Sequence, residues 1–140
     1  MLNGRHVACQ LYQTSLQTYL GDWRINGKDY FIDSKDLEQY LIEDNLQTIK
    51  HEDIAWISMN VTEGIDETCT CCNGSRYEKC DIKYPGILSL HAPNPYSKKY
   101  RMIDGRHRMM KMRKLGITES QFYVISFEEL KKVCKHWSKL

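Results

Sequence analysis

Apolar positions recur along the chain with two different periods. Between 100 and 127 the alternation of these periods reads as strand, helix, strand. Tyr100–Ile103 is a short extended run. After Gly105 the apolar residues Met109, Met112 and Leu115 fall three apart, and Met110 widens the same stripe; that is helical spacing. No β-branched residue occurs in 106–115, and Gly116 stands where a helix C′ glycine is expected. Residues 121–127, QFYVISF, read as a strand, and 128–140 as a closing helix. The Asp104-Gly105 pair could make a hairpin turn, but the helical stripe behind it predicts a loop feeding a helix instead.

Upstream the pattern is more broken. Residues 5–20 mix helical and extended signals. Residues 23–32 read as two short strands around Asn26-Gly27, a two-residue hairpin turn. Asp33-Ser34 can cap a helix. Leu37, Tyr40, Leu41 and Ile49 then recur near helical spacing, so an amphipathic helix is expected over 35–48, with Asp36 and Glu38 suiting its amino end. The segment 53–61 is apolar on both faces, which predicts a central strand. Residues 62–81 are polar, Cys-rich and turn-like; 85–90 is a further strand, and two prolines make 92–98 a loop. The sum is an α+β fold: a small mixed β-sheet with flanking helices, one domain over 1–140 with a Cys-rich insertion at about 62–81.

Length and composition fit that picture. The 140 residues are 41% hydrophobic and 27% charged, which excludes disorder by composition. No apolar run approaches a membrane span, and the first residues lack the apolar core of a signal peptide. A cytoplasmic protein without membrane association is expected, so its six cysteines should be thiols or metal ligands.

Net charge is +2, unevenly spread. Residues 98–114 hold eight Lys/Arg against one acid, while 1–97 hold eight against fourteen. One basic block on an otherwise acidic chain points to a local anion site, or else to a solvated helix face. Arg106, His107 and Arg108 occupy the first helical turn, where cations oppose the helix dipole. The same end offers N–H groups without internal partners, which suits an anion. Gly105 would let a phosphate approach the backbone, and Arg offers a planar fork to its oxygens.

These residues carry a resemblance. Ile103-Asp104-Gly105-Arg106-His107-Arg108, with Lys111 and Leu115-Gly116 behind, resembles the box of the ParB/sulfiredoxin superfamily: a strand ending in Gly-x-His-Arg, then a helix. The strands at 84–90 and 121–126 are similar to that family's pattern, so the likeness covers about 84–130. The resemblance implies binding of nucleotide or nucleic-acid phosphate by Gly105, His107 and Arg108, with the neighbouring Arg106 a further phosphate-binding candidate. It further implies, for an enzyme, nucleotide or phosphodiester hydrolysis or phosphoryl transfer, with His107, Arg108 and Asp104 as catalytic candidates. A nucleotide-bound Mg²⁺ would find Asp104 nearest, with Glu63, Asp66 and Glu67 further off. Sulfiredoxins place a reactive Cys where this chain has Arg106, so that chemistry is not expected. ParB clamps follow the domain with a helix-turn-helix; with Leu140 as the last residue, a stand-alone module of phage or plasmid type is expected, working in the host cytoplasm if phage-encoded.

The remaining chemistry lies in Cys69, Cys71, Cys72 and Cys80. Four thiols in twelve residues could wrap a structural Zn²⁺, with His51 or His91 completing or replacing a ligand. Loop thiols or a local disulfide are the alternatives. A different reading of the chain follows: a Zn-stabilised, non-enzymatic nucleic-acid-binding protein using the basic helix 106–114. A third is an interaction module in which the box is inert. Trp23, Trp56, Trp137, the methionine stripe, Cys9 and Cys134 are expected to pack.

Overall fold

The computed structural model describes residues 17–19, 31–56 and 75–135. Expectations that fall on Trp23, Asn26-Gly27, Glu63, Asp66, Glu67, Cys69, Cys71, Cys72 and Trp137 lie outside them.

The chain is a mixed α+β fold. Its strands are β1 Gln17–Tyr19, β2 Phe31–Asp33, β3 Leu46–Lys50, β4 Ile54–Ala55, β5 Gly86–Leu90, β6 Tyr100–Asp104, β7 Glu119–Ser126 and β8 Cys134–Lys135. The helices among the described residues are α1 Ser34–Glu38, α2 Ser75–Lys79, α3 Arg106–Lys114 and α4 Phe127–Val133. Five strands form one sheet in the order β3-β7-β5-β6-β4, and β1-β2-β8 form another. In the larger sheet β7 runs parallel to β5 and antiparallel to β3, while β6 runs antiparallel to β5 and parallel to β4.

The two faces of that sheet are buried by different helices. Leu88, Phe122 and Val124 pack with Met109, Met110 and Met112 of α3. Ile87, Ile103 and Ile125 pack with Leu37 of α1 and Leu130 of α4. Adjacent residues such as Ile87 and Leu88 therefore serve opposite layers, because successive strand side chains alternate. This is why 85–90 reads as an unbroken apolar run. The methionine stripe of α3 is buried, as its spacing predicts, and Gly116 takes a left-handed φ of 76° just past the helix.

Three expectations need correction. The helix over 35–48 stops at Glu38; a 3₁₀ turn, Glu43–Asn45, leads into β3. Its apolar residues do not share a face: Leu37 belongs to the α1/α4 layer and Ile49 to the α3 layer, while Leu41 and Ile42 are exposed. Asn45 Nδ2 holds the Tyr40 carbonyl at 2.8 Å and closes the turn. The strand at 53–61 is central in expectation, but β4 stands at the end of the strand order and only Ile54–Ala55 of the described residues pair. Ile54, Ala55 and Trp56 are buried nonetheless, Ile54 and Trp56 within the α3 layer. The closing helix ends at Val133, because Cys134 and Lys135 pair with Ile32 and Phe31.

Candidate functional site

The turn between β6 and α3 is built as the charge pattern and glycine predict. Gly105 lies at φ 115°, ψ 17°, a left-handed conformation, and α3 starts at the next residue. Glycine adopts such an angle at least cost. The first helical bond runs from Met109 N to Gly105 O at 2.8 Å. No side chain caps this end and no acid lies in its first turn. The N–H groups of Arg106, His107 and Arg108 thus have no acceptor within the helix.

Packing around the turn is tight. A Cβ on Gly86 would stand 2.6 Å from the Asp104 carbonyl oxygen, and one on Gly105 would stand 3.1 Å from Gly86 Cα. The start of β5 and the end of β6 are in contact through two glycines. Arg108 closes the arrangement. Its Nη1 donates to the carbonyls of Tyr84 (2.9 Å) and Pro85 (3.2 Å), and its Nη2 to Asp104 Oδ2 at 3.2 Å. The guanidinium lies over the bare side of Gly105, with Nη2 3.6 Å from the position of the missing Cβ.

The structure therefore brings Asp104, Gly105, Arg106, His107 and Arg108 together, with differing surroundings. Asp104 and Arg108 are an i,i+4 pair. Arg106 is half-buried, and His107 is buried, at 8% exposed. Tyr84, which sequence reasoning treated only as the edge of a strand, is 67% exposed beside the turn, its carbonyl held by Arg108. The Pro85-Gly86 pair behind it was the available signal: a sharp entry into β5 leaves Tyr84 outside the ladder.

Other cations of α3 work as braces. Lys111 Nζ donates to the Cys80 carbonyl at 3.0 Å and that of Glu78 at 3.3 Å. That places a cation at the carboxyl end of α2, where the helix dipole favours it. Lys111 and Lys114 both lie over the Tyr77 ring, at 5.1 and 5.3 Å, and Arg113 lies 4.9 Å over Trp56. Such contacts stabilise by about 0.5–1 kcal/mol each at exposed sites.

Of the four cysteines with metal-ligand spacing, only Cys80 is described. Its Sγ donates to the Tyr77 carbonyl at 3.0 Å. Burial raises its thiol pKa, opposed by the nearby charges of Lys111 and Arg108. Among the described residues no group of three His, Cys, Asp or Glu is arranged to hold a metal. Asp104 meets Arg108 rather than a second carboxylate, so the described residues do not assemble a Mg²⁺ site. His91 is exposed and His51 is half-buried against Ser120, Nε2 to Oγ 2.7 Å.

No protein-family model, curated protein or solved structure matches this chain. Among the described residues no helix is long and apolar enough to cross a membrane.

Proposed function

We propose that the Gly105–Arg108 turn binds the phosphate of a nucleotide or of a nucleic-acid backbone, in the manner of the ParB/sulfiredoxin box that it resembles. The observation that supports this reading is the uncapped start of α3 behind a left-handed glycine. The amides of a helix amino end and the helix dipole favour an anion. Arg106 supplies charge at the same end. Arg108 is a positioning residue: it ties the β6–α3 turn to Tyr84 and Pro85. Tyr84 offers an exposed ring next to the turn, on which a base could stack while its phosphate meets the amides. The reading is therefore nucleotide binding first. Phosphodiester or phosphoryl chemistry through His107, Arg108 and Asp104 is its extension, limited by the burial of His107 and the engagement of Asp104.

Calorimetric titration with nucleoside triphosphates, pyrophosphate and duplex DNA tests this. Arg106→Ala should weaken every phosphate ligand. Tyr84→Ala should weaken nucleotides and leave pyrophosphate unchanged. Absence of binding by all three ligands overturns the reading.

A further inference from the structure

Along α3 and past its carboxyl end the fold forms a concavity of about 410 Å³. It lies among the end of β3, the 3₁₀ turn His51–Asp53, Trp56, and the α3–β7 connection. Along the helix its lining runs from Met109, in the first turn, through Arg113 to Gly116 beyond the carboxyl end. Its size falls within the roughly 300–1,000 Å³ of small-molecule sites.

The lining has two zones. The inner one is apolar: Trp56 and Met109, both buried, with half-buried Ile117. Beside them His51 is fixed by its bond to Ser120 and by its backbone N–H, which donates to the Thr118 carbonyl at 2.8 Å. Its ring packs edge-on against Phe122, centroids 5.9 Å apart. Trp56 is held in turn by Arg113, stacked at 4.9 Å. These side chains are locked by their neighbours, so this part of the wall is pre-formed.

The outer zone is charged, with both signs. Lys50, Glu52, Arg113 and Glu119 line it, and all four are exposed. Two cations face two carboxylates, so the mouth has no net pull on a phosphate. Lys50 and Glu119 are register partners across β3 and β7. Directly opposed residues on antiparallel strands stand about 4.5–5.5 Å apart at Cα. A positive and a negative group thus stand side by side. The carboxyl end of α3, at Gly116, adds a partial negative charge on the same rim.

We infer that this cavity binds a small zwitterion with an apolar or aromatic body, the chemistry of a free amino acid. The adjacent ammonium and carboxylate of such a molecule match the paired charges of Lys50 and Glu119, with Arg113 and Glu52 reinforcing each sign. Its side chain enters the zone of Trp56, Met109 and Ile117. A bare nucleotide fits poorly, because its phosphate would meet Glu52 and Glu119 as well as the cations. The inference is independent of the phosphate turn.

Calorimetry on the full chain, with L-phenylalanine as probe, tests it. The singly charged N-acetyl-L-phenylalanine and L-phenylalanine amide, and adenosine, serve as comparisons. Phenylalanine should bind at least about tenfold tighter than each singly charged analogue, since loss of either charge leaves a rim group unmatched. Thr118→Trp, which fills the mouth from an exposed position, should weaken phenylalanine by about tenfold or more. Arg113→Gln should weaken it also, and circular dichroism of both variants checks that they fold. No binding of phenylalanine overturns the inference. So does adenosine binding tighter than phenylalanine, or a folded Thr118→Trp protein with unchanged affinity.

Discussion

Gly105 is where conformation and packing impose the same requirement, and alanine scanning of three glycines separates the two. Gly105 and Gly116 both have left-handed φ, 115° and 76°. A Cβ on Gly116 would meet nothing within 4 Å, while one on Gly105 would stand 3.1 Å from Gly86 Cα. Alanine in the left-handed region costs about 1–2 kcal/mol. Gly116→Ala should cost that alone. Gly105→Ala should cost about 1 kcal/mol more, because backbone must move by a few tenths of an ångström. Gly86→Ala has no left-handed angle to violate, but its Cβ would meet the Asp104 carbonyl at 2.6 Å; it should lose about 1–3 kcal/mol from overpacking. Urea unfolding gives these values directly if the slope stays constant. Because Gly86 and Gly105 press on one another, the double variant should fall short of the sum of the single losses. A Gly105→Ala loss equal to that of Gly116→Ala, or full additivity of Gly86→Ala and Gly105→Ala, would refute the claim that the β5 and β6 backbones are in contact here.

Other expectations follow from single side chains. Arg108→Met removes donors to Tyr84 O, Pro85 O and Asp104 and should cost about 2 kcal/mol by urea unfolding; Asp104→Asn, breaking only the partly exposed ion pair, should cost under about 1 kcal/mol. Burial holds the His51 imidazole below its ordinary 6.5, against a backbone hydrogen bond to Ile117 and the charge of Glu119. The unfolded chain therefore binds more protons. Stability should be full above pH 6.5 and fall as pH drops through the lower folded value, a slope that His51→Gln should flatten in urea midpoints taken across that window. If Cys69, Cys71, Cys72 and Cys80 hold a structural metal, protein purified without chelator should carry about one Zn²⁺ per chain by elemental analysis, and Cys80→Ser should lower it. A metal-free protein with unchanged stability rules that role out.

Local signals were legible where one helix face or one strand answers to one layer. Met109, Met110 and Met112 share a face of α3 and pack together, so their spacing identifies the helix, and Gly116 marks its end. The strand–glycine–helix of the box was readable for the same reason. Period failed where neighbouring apolar residues belong to different layers. Leu37 and Ile49 look like one helical stripe, yet they pack on opposite sides of the sheet. The closing helix reads on past Val133 in sequence, but pairing of Cys134–Lys135 with β2 overrides it. The cavity left no trace in the sequence. Its walls come from 50–56 and 109–119, which β3–β7 and β4–β6 pairing bring together.

The basic block deserves a different interpretation once its partners are known. In sequence, eight cations in 98–114 read as a surface for anions. In the fold, Arg101 donates to Pro93 O, Arg108 to Tyr84 O and Pro85 O, and Lys111 to Glu78 O and Cys80 O. These carbonyls belong to loops and to the end of α2, outside the sheet ladders, and a charged donor bonds them more strongly than a neutral one. The block thus fastens connecting segments to the sheet. Salt dependence distinguishes this from a nucleic-acid surface. A duplex held by all five cations of 106–114 would show a slope of log K against log salt of about −4.5. If Arg108, Lys111, Arg113 and Lys114 keep their internal contacts, phosphate meets the backbone amides and at most one cation of the turn, and the slope should be no steeper than about −1. A measured slope steeper than about −3 would show that these side chains leave their carbonyls and rings to reach DNA, and that α3 is the binding surface.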